Sequence, residues 1–302
     1  MSFSRLSRFR RSNEVPPLQI TERDREIIRL VWQHRFLRSS HCFALLESSE
    51  QPVLRRLQLL YHHGYLTRPR AQLDYYHQGG SRSIVYGLAP KGWKLIEKQV
   101  GCAPQRFTFD DQQFKRIFLE HSLLVSDIMV AVELACRQRP NVRFISQTEL
   151  KATNQKPRPF RWQAKLENNL RVTVEPDQVF ALEFLNGRGA QNRVLFFLEA
   201  DRGTMPVKRA RVTQSSFHRK LIGYEATWTQ WLHRKRFGFH RFRVITVTTI
   251  PGRVQSLIDS CSELKASGLF LFAHQSILET PTEILSTVWR CPQSEEPESL
   301  LS

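Results

Sequence analysis

The sequence predicts a mixed α/β (α+β overall) protein in two folded parts, and three observations predict it. The first hundred residues hold three amphipathic helical segments and a short hairpin signal. From Phe114 onward a long amphipathic segment leads into strand-length apolar runs separated by further helical segments. At 302 residues, 41% of them hydrophobic and 24% charged, the chain can build one large or two ordinary cores. The expected boundaries are a basic, flexible N-terminus over 1–18, a first unit over 19–100, a linker over 101–112 containing Pro104, a second domain over 113–291, and an acidic disordered tail over 292–302.

In the first unit, Thr21-Glu22-Arg23-Asp24 resembles a capping box, and Ile27, Ile28, Leu30, Val31 and Leu37 follow at helical spacing. Ser39 or Ser40 can cap a short second helix with Phe43, Leu45 and Leu46. A third helix from about Gln51 places Val53, Leu54, Leu57, Leu60 and Tyr61 on one side and stops at Gly64. Tyr65-Leu66-Thr67, a loop ending in Gly79-Gly80, and Ser83 to Tyr86 then suggest a hairpin, before a closing helix over Lys91 to Val100. Three helices and a hairpin in this order form a winged helix-turn-helix, whose third helix enters the major groove of DNA. Arg55, Arg56 and Gln58 would face the duplex, with Arg68, Arg70 and Arg82 on the wing. The alternative is a protein-binding winged helix with merely solvated arginines.

The second part reads as a helix over Phe114 to Arg137, a strand over Val142 to Leu150, a basic stretch from Lys151 to Lys165, and strands over Leu170 to Val174, Val179 to Phe184 and Val194 to Asp201, with Gly187 and Gly189 in the turn. A helix over Val207 to Arg234 follows. Its aromatic stripe, Phe217, Tyr224, Trp228 and Trp231 around Leu221, is expected in the core rather than as a base-stacking platform. Strand Phe242 to Thr248, helix Gly252 to Leu264 and strand Leu269 to Phe272 complete the order.

Two carboxylates close one apolar strand. Successive strand side chains point to opposite faces, so Glu199 and Asp201 share a face while Ala200 turns away. Their repulsion at about 4 Å is roughly 1 kcal/mol in water and about 4 kcal/mol at an effective dielectric of 20, so a cation is expected beside them. A divalent metal with oxygen ligands fits. Asp177 would join as a ligand or, alternatively, serve as a turn residue after Pro176. Asp201 would be a third ligand or would orient water; otherwise it pairs with Arg202 or Lys208. Glu149 is a further ligand or a solvated carboxylate.

The charge balance points to the partner. Lys and Arg outnumber Asp and Glu by 17 to 8 in residues 1–100 and by 28 to 20 in the remainder, giving a formal charge of +17. A polyanion contacting both halves is favoured, since neutralising phosphates releases condensed counterions. A solvated basic surface or an anionic membrane is the alternative. Five cysteines, at 42, 102, 136, 261 and 291, form no C-x-x-C pair and suggest reduced thiols of a cytoplasmic protein. No signal-peptide core, membrane-spanning stretch, nucleotide-binding glycine loop or His-x-His metal pair is present.

The element order, the "EPD" at Glu175-Pro176-Asp177 and the "LEADRGT" at Leu198 to Thr204 resemble the restriction-endonuclease-like PD-(D/E)xK core. With the N-terminal winged helix, and with Lys220 and Tyr224 in "RKLIGY", the chain resembles the replication-relaxation family over roughly residues 20 to 250, a family that includes MobC-type conjugative relaxases. The resemblance implies a metal-dependent relaxase that nicks one strand at the transfer origin of a mobilisable plasmid or integrative element. It implies Asp177 and Glu199 as ligands of Mg²⁺ or Mn²⁺. Asp201 stands where the nuclease motif has lysine, and Lys220 on the next helix is the natural substitute. Tyr224 would reach a phosphate or pack in the core. Arg158 and Arg161 would hold the backbone of double-stranded DNA with a single-stranded segment at the nick, and an auxiliary mobilisation or coupling protein is an expected partner. The competing readings are a non-catalytic replication initiator or transcriptional regulator, and a double-strand nuclease of a defence or transposition system.

Overall fold

The computed structural model describes residues 7–12, 14–73, 83–100, 116–152, 159–166, 169–185, 191–211, 213–286 and 288–301. It is a mixed α/β protein whose backbone divides into two compact units after Val130. Arg82, Arg158, Gly79, Gly80, Gly187, Gly189 and the expected linker lie outside the described residues.

The first unit runs α1 (Glu22–His34), β1 (Phe36–Arg38), α2 (Ser39–Leu46), α3 (Glu50–His62), β2 (Leu66–Thr67), β3 (Val85–Leu88) and α4 (Pro90–Val100), and α5 (Arg116–Arg137) continues past the division. Thr21 caps α1 reciprocally with Asp24, as the sequence suggests. The three strands pair antiparallel in the order β1-β3-β2. Strand β1 was not expected, because Leu37 fits the helical period of α1. Arg35 ends that helix in a positive-φ conformation (φ 66°), which redirects Phe36 and Leu37 into the sheet. Ile27, Ile28 and Val31 of α1, Val53, Leu57 and Leu60 of α3, and Phe36 and Leu37 are fully buried. Gly87 permits the close strand pairing, since a Cβ there would meet the Phe36 ring at 2.9 Å.

Three expectations for this unit are corrected. Arg56 is held by the buried Asp24, with Nε donating to Oδ1 at 2.7 Å and a guanidinium nitrogen donating to Gln19 O at 2.9 Å, so it is not presented for DNA. Arg68 is buried, donates to Tyr86 Oη at 3.1 Å and Arg8 O at 2.6 Å, and stacks over the Tyr61 and Tyr86 rings, so it is no wing residue. The N-terminal segment expected to be flexible is tied down where described, by Arg11 on the carbonyls of Tyr61 and Leu66 and by Ser12 N on His62 Nδ1. Burial and nearby cations push the His62 imidazole down, keeping that acceptor nitrogen free of a proton. Arg55 and Arg70 are exposed and Gln58 is half-buried.

The second unit adds β4 (Val142–Ile145), α6 (Gln147–Ala152), β5 (Trp162–Lys165), β6 (Arg171–Val174), β7 (Gln178–Leu185), β8 (Gln191–Asp201), α7 (Phe217–Thr229), α8 (Leu232–Phe237), β9 (Arg241–Thr248), α9 (Arg253–Asp259) and β10 (Phe270–His274). The main sheet has the order β10-β9-β8-β7-β4, parallel among β8, β9 and β10 and antiparallel among β4, β7 and β8. Strands β5 and β6 form a separate hairpin on which α7 rests. Gly223 permits that seating, because a Cβ there would sit 2.8 Å from Val174 Cγ2. Trp162, Phe197, Tyr224 and Phe237 pack ring to ring beneath it.

Here too the sequence misplaces some boundaries. The strand expected to Leu150 ends at Ile145, and Ser146 Oγ accepts from Glu149 N to start α6. The long helix expected from Val207 begins only at Phe217, capped by Ser216, and breaks at Trp231. The acidic C-terminal stretch is not a loose tail, for Glu298 bridges to Trp289, Arg243 donates to its carboxylate at 3.0 Å, and Leu300 is buried. No helix among the described residues is long and apolar enough to cross a membrane.

The Asp24–Arg56 pair generates a stability prediction. Asp24→Ala removes the α1 cap and leaves Arg56 without its buried carboxylate, and is expected to cost about 3 kcal/mol in urea unfolding.

Candidate functional site

One face of the main sheet carries Val179, Ala181, Leu195, Phe197, Phe242 and Val244 in the core under α7. Continuing along that face, past Phe197 and Val244, the apolar residues give way to Glu199 and Thr246, then to Asp201 and Thr248, each pair in register. Asp177 precedes β7 beside them. Its backbone N donates to Leu198 O at 3.0 Å, and its Oδ2 accepts from Ala200 N at 2.8 Å. The apolar wall and the carboxylates are one alternating pattern, so burial of the first compels burial of the second.

Glu199 is 2% exposed and both its oxygens are engaged. Lys220 Nζ donates to Oε2 at 2.5 Å and Tyr224 Oη donates to Oε1 at 2.6 Å. These two donors are one turn apart on α7, which lies across this face. Burial pushes the Glu199 carboxyl up to about 7, with Asp177 adding to the rise and Lys220 and Tyr224 opposing it. For Lys220, burial disfavours the ammonium, but the charges of Glu199 and Asp177 outweigh it and raise its pKa. Burial and Glu199 raise the Tyr224 phenol well above its ordinary value, so it stays a donor.

Asp201 shares the face, as the alternation of strand side chains requires, but takes different partners. Arg253 holds it in a two-pronged ion pair, Nε to Oδ2 at 2.5 Å and a terminal nitrogen to Oδ1 at 3.1 Å, and Thr248 Oγ1 donates to Oδ2 at 2.9 Å. The backbone N of Gly203 donates to Asp201 Oδ1 at 3.2 Å, and Lys208 pairs instead with Glu263 at 3.1 Å. Glu149 lies on α6 and pairs with Arg143 at 2.8 Å, beside a buried Glu183 that Arg143 and Arg193 both contact. Tyr224 is fully buried in the core and donates to Glu199. Arg161 is exposed and pairs with Glu175 at 3.2 Å.

Among the described residues no group of three or more His, Cys, Asp or Glu is placed to share a metal. What remains is a two-carboxylate set, Asp177 and Glu199, close enough for each charge to act on the other. Its hard oxygen donors suit Mg²⁺ or Mn²⁺. Sequence reasoning missed Arg253, Thr248 and Thr246. The alternation Thr246-Val247-Thr248 at the end of β9 was the available signal for the threonines; Arg253, at the start of the next helix, had none. Thr246 Oγ1, next to Glu199 in register, is buried without a hydrogen-bond partner.

A five-stranded mixed sheet ending in a buried carboxylate–lysine–tyrosine cluster defines the class of protein in structural terms. The replication-relaxation family model matches residues 28–241, and the chain belongs to that family. The match includes Asp177, Glu199, Lys220 and Tyr224 and ends before Arg253. No curated protein and no solved structure matches the chain.

Two outcomes are expected. The folded Glu199 binds its proton more tightly than the ordinary value of 4.5, so the folded state carries the extra proton between pH 4.5 and about 7 and stability falls as pH rises across that window. Glu199→Gln should abolish that slope in urea unfolding measured from pH 4.5 to 7.5. Arg253→Ala leaves Asp201 charged and buried and should cost roughly 3–5 kcal/mol at pH 7.5 by the same measurement.

Proposed function

We propose that this protein is a metal-dependent, site- and strand-specific DNA endonuclease of the relaxase type, acting on the transfer origin of a mobilisable plasmid or integrative element in the cytoplasm. The observation that carries the reading is the convergence of Asp177, Glu199 and Lys220 at the ends of β7 and β8 and on α7. A PD-(D/E)xK-type centre needs two acidic groups and one ammonium, and here the ammonium arrives from the helix rather than from position 201. Family membership supports the role in plasmid replication or mobilisation.

Asp177 and Glu199 would hold Mg²⁺ or Mn²⁺. When bound, such an ion polarises a phosphoryl oxygen and lowers the pKa of water. Lys220, kept charged by its carboxylate neighbours, balances negative charge developing on the phosphate. Tyr224 holds the Glu199 carboxylate in one rotamer. Asp201, locked to Arg253, positions the strand end rather than the reacting groups. The arrangement of α1, α2 and α3 with the three-stranded sheet in the first unit supports a winged helix reading of duplex DNA, with exposed Arg55 and Arg70 and half-buried Gln58 available for contact. Arg161 adds charge near the second unit's basic stretch.

A second reading has one observation in its favour. Glu199 already has Lys220 and Tyr224 on its two oxygens, and Asp201 is fully committed to Arg253, as befits a retired nuclease core in a DNA-binding replication initiator or regulator.

Supercoiled plasmid bearing the cognate origin is expected to become open circles with Mg²⁺ or Mn²⁺, and Asp177→Ala or Glu199→Ala to lose at least 100-fold in rate, on the order of what one essential electrostatic group contributes. Wild-type rates in those variants would refute the assigned site, and linear product would favour a double-strand nuclease. Because only ionised Glu199 binds metal, Mn²⁺ affinity by calorimetry should fall about tenfold per pH unit below about 7.

A further inference from the structure

Between α7 and α8 the chain takes a turn that backbone preference does not explain, and the Trp231 ring there stacks on His233 at 6.1 Å between centroids. Trp231 sits in the left-handed region, φ 57° and ψ 25°. That conformation is costly for a bulky aromatic and is ordinarily taken by Gly or Asn. Burial does not offset the cost, because Trp231 is 48% exposed. Of the aromatic stripe read from the sequence, Phe217 and Tyr224 are buried and Trp228 half-buried against the core, and Trp231 alone leaves it. The helix that follows is Leu-His-Arg-Lys-Arg-Phe, and its Arg234 guanidinium stacks over the Trp231 ring at 4.1 Å. Arg234 and Lys235 are exposed, and among the described residues neither is in an ion pair. Beneath them the support is rigid. Phe237 stacks on Phe160, the Arg236 guanidinium donates to Pro159 O and Arg161 O, and His233 is buried against Trp228.

We infer that Trp231 with Arg234 and Lys235 is a stacking platform for an unpaired DNA strand: the indole takes a base and the two cations take the adjoining phosphates. A half-exposed indole that already carries the Arg234 guanidinium on its ring, with exposed Lys235 next in the chain, fits single-stranded nucleic acid, whereas duplex DNA hides its base faces. Strained backbone conformations of this kind cluster at functional sites. The inference rests on DNA being the substrate but not on cleavage, so it is tested by binding alone.

The test is fluorescence anisotropy of the full chain, without divalent metal, on a labelled unstructured oligonucleotide and on a labelled duplex of the same length. Trp231→Asn removes the ring while relieving the backbone, so its melting temperature should equal or exceed that of the parent. Its single-strand affinity should fall roughly 5- to 100-fold, with duplex affinity changed less than twofold, and Trp231→Phe should restore most of the loss. Arg234→Ala with Lys235→Ala should weaken single-strand binding and flatten its salt dependence. Unchanged single-strand binding by Trp231→Asn, or an equal loss on both DNAs, would overturn the inference. Absent nicking with these results intact would count against the proposed catalysis and not against the platform.

Discussion

The second unit depends on how it compensates one buried charge. Glu199 lies at the end of an otherwise apolar strand face, and an isolated carboxylate there would carry a desolvation penalty of several kcal/mol. Lys220 and Tyr224 answer it from one helix, so α7 is fixed in both rotation and height over the sheet. Gly223, lodged between those two residues in sequence, brings an adjacent flank of the same helix against Val172 and Val174. Trp162 bonds Thr227 a turn later at 2.8 Å. The electrostatic contact and the packing contacts thus specify a single placement.

The same compensation gives the clustered groups different proton affinities. A carboxyl held near neutrality, an ammonium held charged and a second carboxylate at the neighbouring strand end differ in environment, not in type. Burial separates the roles that composition alone would leave equivalent. Asp201 shows the contrast within one strand. Two residues beyond Glu199 and on the same face, it meets a guanidinium and a threonine instead, and the result is an ion pair that anchors β8 to the start of α9.

Much of this was legible from local pattern. The capping box at Thr21, the hairpin pairing of Leu66 with the strand after the loop, the apolar run into Glu199, and the link of Lys220 and Tyr224 by one helical turn all follow from period and spacing. What was not legible depends on contacts distant in sequence. Nothing near Arg56 or Arg68 announces that Asp24 or Tyr86 will claim it, and basic residues on a helix or wing look alike whether solvated or paired. The partner of Asp201 lies 52 residues away, and the break at Trp231 contradicts a continuous amphipathic period. Glu149 was misplaced for a local reason, since Ser146 can cap a helix as readily as it can extend a strand.

We propose that Asp177 and Glu199 form a cation-binding pair from which the Lys220 ammonium would withdraw when a cation binds. Anomalous diffraction from crystals equilibrated with Mn²⁺ at pH 8 tests it directly. A manganese peak at the carboxylates of Asp177 and Glu199 is expected, with the Lys220 ammonium drawn away from Glu199. No peak there, with Lys220 still bonded to Glu199, would contradict it.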